Sequence, residues 1–131
     1  MKKVLIATDK PFAKVAVDGI RKIVEDAGYE LLLLEKYTDH NDLVKAVEDV
    51  DALIIRSDIA DRKVIEAGKK LRIIVRAGAG YDNIDLAAAT ENKVVAMNTP
   101  GQNSNAVAEL ALGMMVYMAR NLFNGTSGTE L

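Results

Sequence analysis

The sequence predicts an α/β protein built on a five-stranded parallel sheet with helices on both faces, and three observations predict it. Short apolar runs alternate with stretches of helical spacing along the whole chain. Each run ends in polar or small residues, and the fourth breaks at the step Gly78-Ala79-Gly80. Strands that each feed a helix must run parallel and be covered from both sides. The right-handed crossover rule leaves few topologies, and the favoured strand order is 2-1-3-4-5, the flavodoxin-like order.

Val4–Ala7 is apolar, ends at Thr8-Asp9 and reads as a buried strand. Pro11 suits the first turn of a helix, with Asp9 or Lys10 near the cap. Val15, Val17, Ile20, Ile23 and Val24 then keep helical spacing as far as Gly28, a natural stop. Leu31–Leu34 is the second strand. Asp39–Glu48 carries Leu43, Val44 and Val47 at helical spacing on an otherwise polar helix. Ala52–Ile55 is the third strand, ending at Arg56-Ser57-Asp58. A helix from Asp61 to Ala67 stops at Gly68, and Leu71–Val75 is the fourth strand. Ile84–Thr90 is helical, with Asp82 or Asn83 as N-cap and Asn92 as a left-handed exit. Val94–Met97 is the fifth strand, and residues 98–103 form a loop. A long helix follows from about Ser104 to Arg120, then a Gly/Thr/Ser-rich linker over Asn121–Leu131.

Bulk composition narrows the function classes. The 131 residues fit one domain, with 50% hydrophobic and 27% charged residues and a net charge of −2. That balance offers no electrostatic footprint for nucleic acid. The absence of cysteine excludes disulfides and thiol chemistry and fits a reducing compartment. The apolar run near the N-terminus is too short for a signal peptide, and no run is long enough to span a membrane, so the cytoplasm is the expected location. The lone His40 lies in a polar stretch and reads as a surface residue, and no metal site is expected.

The chemistry centres on Arg76-Ala77-Gly78-Ala79-Gly80-Tyr81-Asp82-Asn83. A strand that breaks at two glycines and re-enters as a helix brings bare backbone N–H groups to the carboxyl edge of a sheet, where they can hold an anion. The same glycines also satisfy a tight turn with no ligand. This is not a dinucleotide fingerprint: Asn83 stands where a third glycine belongs, and Asn98 and Gln102 stand where an acid belongs. The last helix is apolar nearly all round, its polar or small stripe reduced to Asn105, Glu109, Gly113, Tyr117 and Arg120. Such a helix expects burial on every side, by a second domain or a partner subunit.

Three motifs in order, Val75–Asp85, Met97-Asn98-Thr99-Pro100 and Asn103–Leu110, with Gly125–Leu131 after them, resemble the D-isomer-specific 2-hydroxyacid dehydrogenases, nearest to their phosphoglycerate branch. Earlier residues agree more loosely, through Ile55-Arg56-Ser57. The resemblance implies a substrate-binding segment over 1–103, a connecting helix over 104–120 and a linker over 121–131 toward an NAD-binding Rossmann domain. It implies an NAD-dependent oxidoreductase acting on a D-2-hydroxy acid, 3-phosphoglycerate in the first step of serine biosynthesis. The family's catalytic arginine, glutamate and histidine fall beyond Leu131, so this chain is expected to hold no catalytic residue and to be inactive alone.

Residue by residue, the resemblance implies that Ala79 and Gly80 present N–H groups to the substrate carboxylate, with Ala79 also approaching the nicotinamide. Asn103 would hydrogen-bond the substrate, Ser104 and Val107 would touch the nicotinamide end, and Arg56 and Ser57 would face a distal phosphate. A guanidinium suits that last task through two parallel hydrogen bonds. Simpler roles stand beside these. Asn103 and Ser104 are good N-caps, Val107 is good core, and Arg56 has Asp58 or Asp82 as possible ion-pair partners. Asp58 follows Arg56-Ser57, and its carboxylate would weaken anion binding if it pointed into the proposed phosphate site. Arg76 fits either support of the turn or the cleft lining.

The alternative is a stand-alone flavodoxin-like binding or regulatory module. A phospho-receiver would place clustered acids after strand one and a lysine at the end of strand five, where this chain has Asp9 and Asn98. A flavin module would carry a Ser/Thr/Gly phosphate loop in place of Thr8-Asp9-Lys10-Pro11.

Overall fold

The computed structural model describes residues 2–8, 14–56, 58–77, 83–99 and 113. Strands β1 (Lys3–Thr8), β2 (Glu30–Glu35), β3 (Ala52–Ile55), β4 (Ile73–Ala77) and β5 (Val95–Thr99) form one sheet in the order β2-β1-β3-β4-β5. Every neighbouring pair is parallel, as the alternation of strand and helix required. Helices α1 (Lys14–Asp26), α2 (His40–Ala46), α3 (Arg62–Ala67) and α4 (Leu86–Glu91) make the crossovers, with a 3-10 turn at Val47–Asp49 closing α2.

Strand position explains strand composition. β1 and β3 lie inside the sheet, and Val4–Thr8 and Ala52–Ile55 are buried without a break. β2 is an edge strand and alternates between exposed and covered positions. Successive residues of each strand feed opposite faces. Leu5, Ala7, Leu53, Ile55 and Ile74 pack with Leu43 and Val47, with Val64 and Ile65 of α3, and with Ala88 and Ala89 of α4. Val4, Ile6, Ala52, Ile54, Ile73 and Val75 pack with Ile20 and Val24 of α1. A buried aliphatic side chain of this kind contributes about 1.5–3 kcal/mol.

The structure moves several expected boundaries. Val15 is 83% exposed, because it lies two residues from Val17 and so on the opposite side of a 3.6-residue turn. β4 runs to Ala77, and Leu71, though buried, precedes it. α4 begins at Leu86, and its N-cap is Asp85, not Asp82 or Asn83. The reason is tertiary: Ile84 pairs with Ala60 in a one-residue parallel bridge, which keeps Ile84 out of the helix and leaves extended Asp85 as its cap. At the exit of α4, Asn92 keeps φ −97° while Lys93 takes φ 60°. Asn92 instead caps the helix with its side chain, donating from Nδ2 to Ala88 O at 2.9 Å. Gly28 does stop the first helical stretch, at φ 84°.

The expected helix over 104–120 and the linker over 121–131 lie outside the described residues, apart from Gly113, which is helical and exposed. Among the described residues no helix is long and apolar enough to cross a membrane.

Candidate functional site

A parallel sheet gathers the carboxyl ends of its strands on one edge, and here those ends are Thr8, Glu35, Ile55, Ala77 and Thr99. The strand order reverses between β1 and β3, the place where open α/β sheets bind ligands. Register then sets neighbours: Ile55 pairs with Arg76, and Arg76 with Asn98, across the tips of β3, β4 and β5.

Arg56 leaves the end of β3 and is exposed, while Asp58 is only 7% exposed. The carbonyl of Arg56 accepts from Arg76 Nε at 3.0 Å and from Asn83 Nδ2 at 2.9 Å. The same Nδ2 donates to Asp58 O at 2.6 Å. One carboxamide therefore holds the backbone on both sides of position 57. Asp58 turns its carboxyl group into the protein: Oδ1 accepts from Arg56 N at 3.4 Å and Oδ2 from Tyr37 Oη at 2.5 Å. The backbone completes the fastening, with Ala60 N donating to Asn83 O at 2.8 Å and Asp85 N to Ala60 O at 3.0 Å.

The nearby helix starts are already satisfied. Asp61 Oδ1 accepts from Val64 N at 3.1 Å, and Asp85 Oδ1 from Ala88 N at 3.0 Å. Burial pushes the Asp61 carboxyl up, but the Val64 N–H and the His40 ring outweigh it and hold the group below its ordinary value. His40 Nε2 lies 3.1 Å from Asp61 Oδ2, so the lone histidine meets a helix cap. Among the described residues, Thr8 Oγ1 and Asn83 Oδ1 at this edge are buried without a hydrogen-bond partner. Among the described residues no group of three or more His, Cys, Asp or Glu side chains is placed to hold a metal ion.

Of the residues singled out from the sequence, Arg56 is described and stands on this rim. Ser57, Ala79, Gly80, Asn103, Ser104 and Val107 lie outside the described residues, as does Asp82. Arg76 supports the turn after β3 through its contact with the Arg56 carbonyl. Two participants went unread. Asn83 satisfies the local rules for a helix cap, and Tyr37 sits 21 positions from Asp58, with no periodic signal linking them.

Residues 7–130 match the family described as D-isomer specific 2-hydroxyacid dehydrogenase, catalytic domain. A hydroxypyruvate reductase of Thermotoga maritima is 42% identical over 98 residues, covering 74% of this chain and 32% of the relative. A D-3-phosphoglycerate dehydrogenase of Methanocaldococcus jannaschii is 41% identical over 110 residues, covering 83% of this chain and 21% of the relative. The crystal structure of NAD+-bound 3-phosphoglycerate dehydrogenase from Entamoeba histolytica superposes with a TM-score of 0.75 at 52% identity, over 93% of this chain and 40% of that one. The chain thus spans a third or less of these two curated relatives' length.

Proposed function

Because the chain belongs to the D-isomer specific 2-hydroxyacid dehydrogenase family, we propose that it is the substrate-binding part of an NAD-dependent enzyme that oxidises a D-2-hydroxy acid. The substrate in this reading is 3-phosphoglycerate, which places the complete enzyme at the first step of serine biosynthesis, in the cytoplasm. The observation that carries it is Arg56, an exposed guanidinium at the carboxyl end of β3 whose backbone is pinned from two sides. The Asp58 carboxyl group beside it accepts from Tyr37 Oη and from the Arg56 N–H.

In the same reading Ser57 assists Arg56 at the distal phosphate, Ala79 and Gly80 offer amides to the substrate carboxylate, and Asn103 contacts the acid or its carbonyl. Ala79, Ser104 and Val107 meet only the nicotinamide end of the cofactor. The chain's residues do not fit a whole dinucleotide, since no glycine fingerprint with its ribose-binding acid is present. The hydride acceptor is therefore held elsewhere, by a Rossmann domain following the linker over 121–131, and residues 1–103 provide substrate recognition. The helix over 104–120, apolar nearly all round, packs against that domain or a second subunit.

The experiment is a paired assay of the purified 131-residue chain. Incubation with 3-phosphoglycerate and NAD is expected to yield no NADH, and titration with NAD alone no tight binding. NADH formation would contradict the division of labour. A bound flavin, or stoichiometric phosphorylation at Asp9, would favour a stand-alone module instead.

A further inference from the structure

The turn after β3 depends on a side chain that ordinary capping rules misplace. Asn83 engages both hydrogens of Nδ2, one on Arg56 O at 2.9 Å and one on Asp58 O at 2.6 Å. Its own backbone is fixed by Ala60 N, which donates to Asn83 O at 2.8 Å. The donor side sets the orientation of the group, because turning the carboxamide over would bring its oxygen against two carbonyl oxygens. Its Oδ1 is buried and has no partner among the described residues.

We propose that Asn83 is a positioning residue that gives the site its preference for a hydroxy acid bearing a second, distal anionic group. The proposal rests on the reading that Arg56 meets that group. An arginine side chain is long and rotamer-rich, so its two-pronged grip on a phosphate needs a fixed root. Asn83 fixes that root by holding the carbonyls before and after position 57, while Arg76 holds the first of them from β4. Loss of the Asn83 donors loosens the turn and penalises ligands in proportion to what they gain from Arg56. An acid without the distal anion loses little.

The test compares 3-phosphoglycerate with D-glycerate by isothermal titration calorimetry on the wild-type chain, N83D and N83A. Amide hydrogen exchange at Arg56 and Ala60 is followed in parallel, with Leu5 and Ile6 of β1 reporting on the fold. The wild type is expected to prefer the phosphorylated acid by about tenfold or more, the worth of one charge-assisted contact. In both variants that ratio falls toward one, further in N83D, whose carboxylate faces the two carbonyls. D-glycerate affinity stays within about twofold and exchange rises at Arg56 but not in β1. A merely structural role would weaken both ligands together and overturn the proposal, as would a wild-type ratio retained in N83A. Equal affinity of the wild type for the two acids would overturn the Arg56 reading itself, and with it the role given to Asn83.

Discussion

Tyr37 Oη donates to Asp58 Oδ2 at 2.5 Å, tying the segment after β2 to the turn after β3 across β1, the strand between them. The bond gives a partner to a carboxyl group that is only 7% exposed. Y37F removes the hydroxyl while keeping the ring. The expected cost is about 1–3 kcal/mol, because a buried acceptor loses a donor. Urea unfolding followed by circular dichroism reads it directly.

A second prediction separates geometry from pattern in α1. Ile20 is fully buried against β1 and β3, whereas Val15 is 83% exposed. I20A should cost about 2–5 kcal/mol through lost burial and the cavity left behind. V15S should stay within about 0.5 kcal/mol of wild type, as surface changes do. Thermal unfolding of the two variants side by side checks both.

Acid should act at the opposite edge of the sheet. Hydrogen bonds from Lys3 and then Lys70 hold Asp49 down at about 2, against an ordinary 3.8. A carboxyl group lowered on folding contributes stability above its unfolded value, and that contribution is lost as pH falls from about 3.8 through about 2. D49N should therefore flatten the stability profile across that window and leave its shape near neutrality unchanged. The group is fully exposed, so the difference should also shrink at high salt. Denaturation midpoints from pH 5 to pH 2, in low and high salt, provide the check.

Much of this architecture is legible in the sequence because its signals are local. Ala52–Ile55 is a continuous apolar run between Asp51 and Arg56, and the strand has those bounds. Asp61 and Gly68 bracket α3 as cap and stop, as their chemistry requires. The start of α4 was not legible: Asp82, Asn83 and Asp85 are all good caps, and the choice falls to the bridge between Ala60 and Ile84. The same applies at the site. Arg56 can be found from its place after a strand and its resemblance to a motif. Its fastening by Arg76 and Asn83, 20 and 27 positions away, follows from strand order and from the bridge between Ala60 and Ile84.

In the function proposed for this chain, the carboxyl rim of the sheet recognises a phosphorylated hydroxy acid through Arg56. The most direct measurement is a titration of the isotopically labelled chain with 3-phosphoglycerate, followed by amide chemical shifts in wild type and R56A. Saturable shifts are expected at Arg56 and its rim neighbours Arg76 and Asn83, weakened about tenfold or more in R56A, with Lys3 and Asp49 unmoved. Shifts confined to the opposite edge, or equal affinity in R56A, would contradict it.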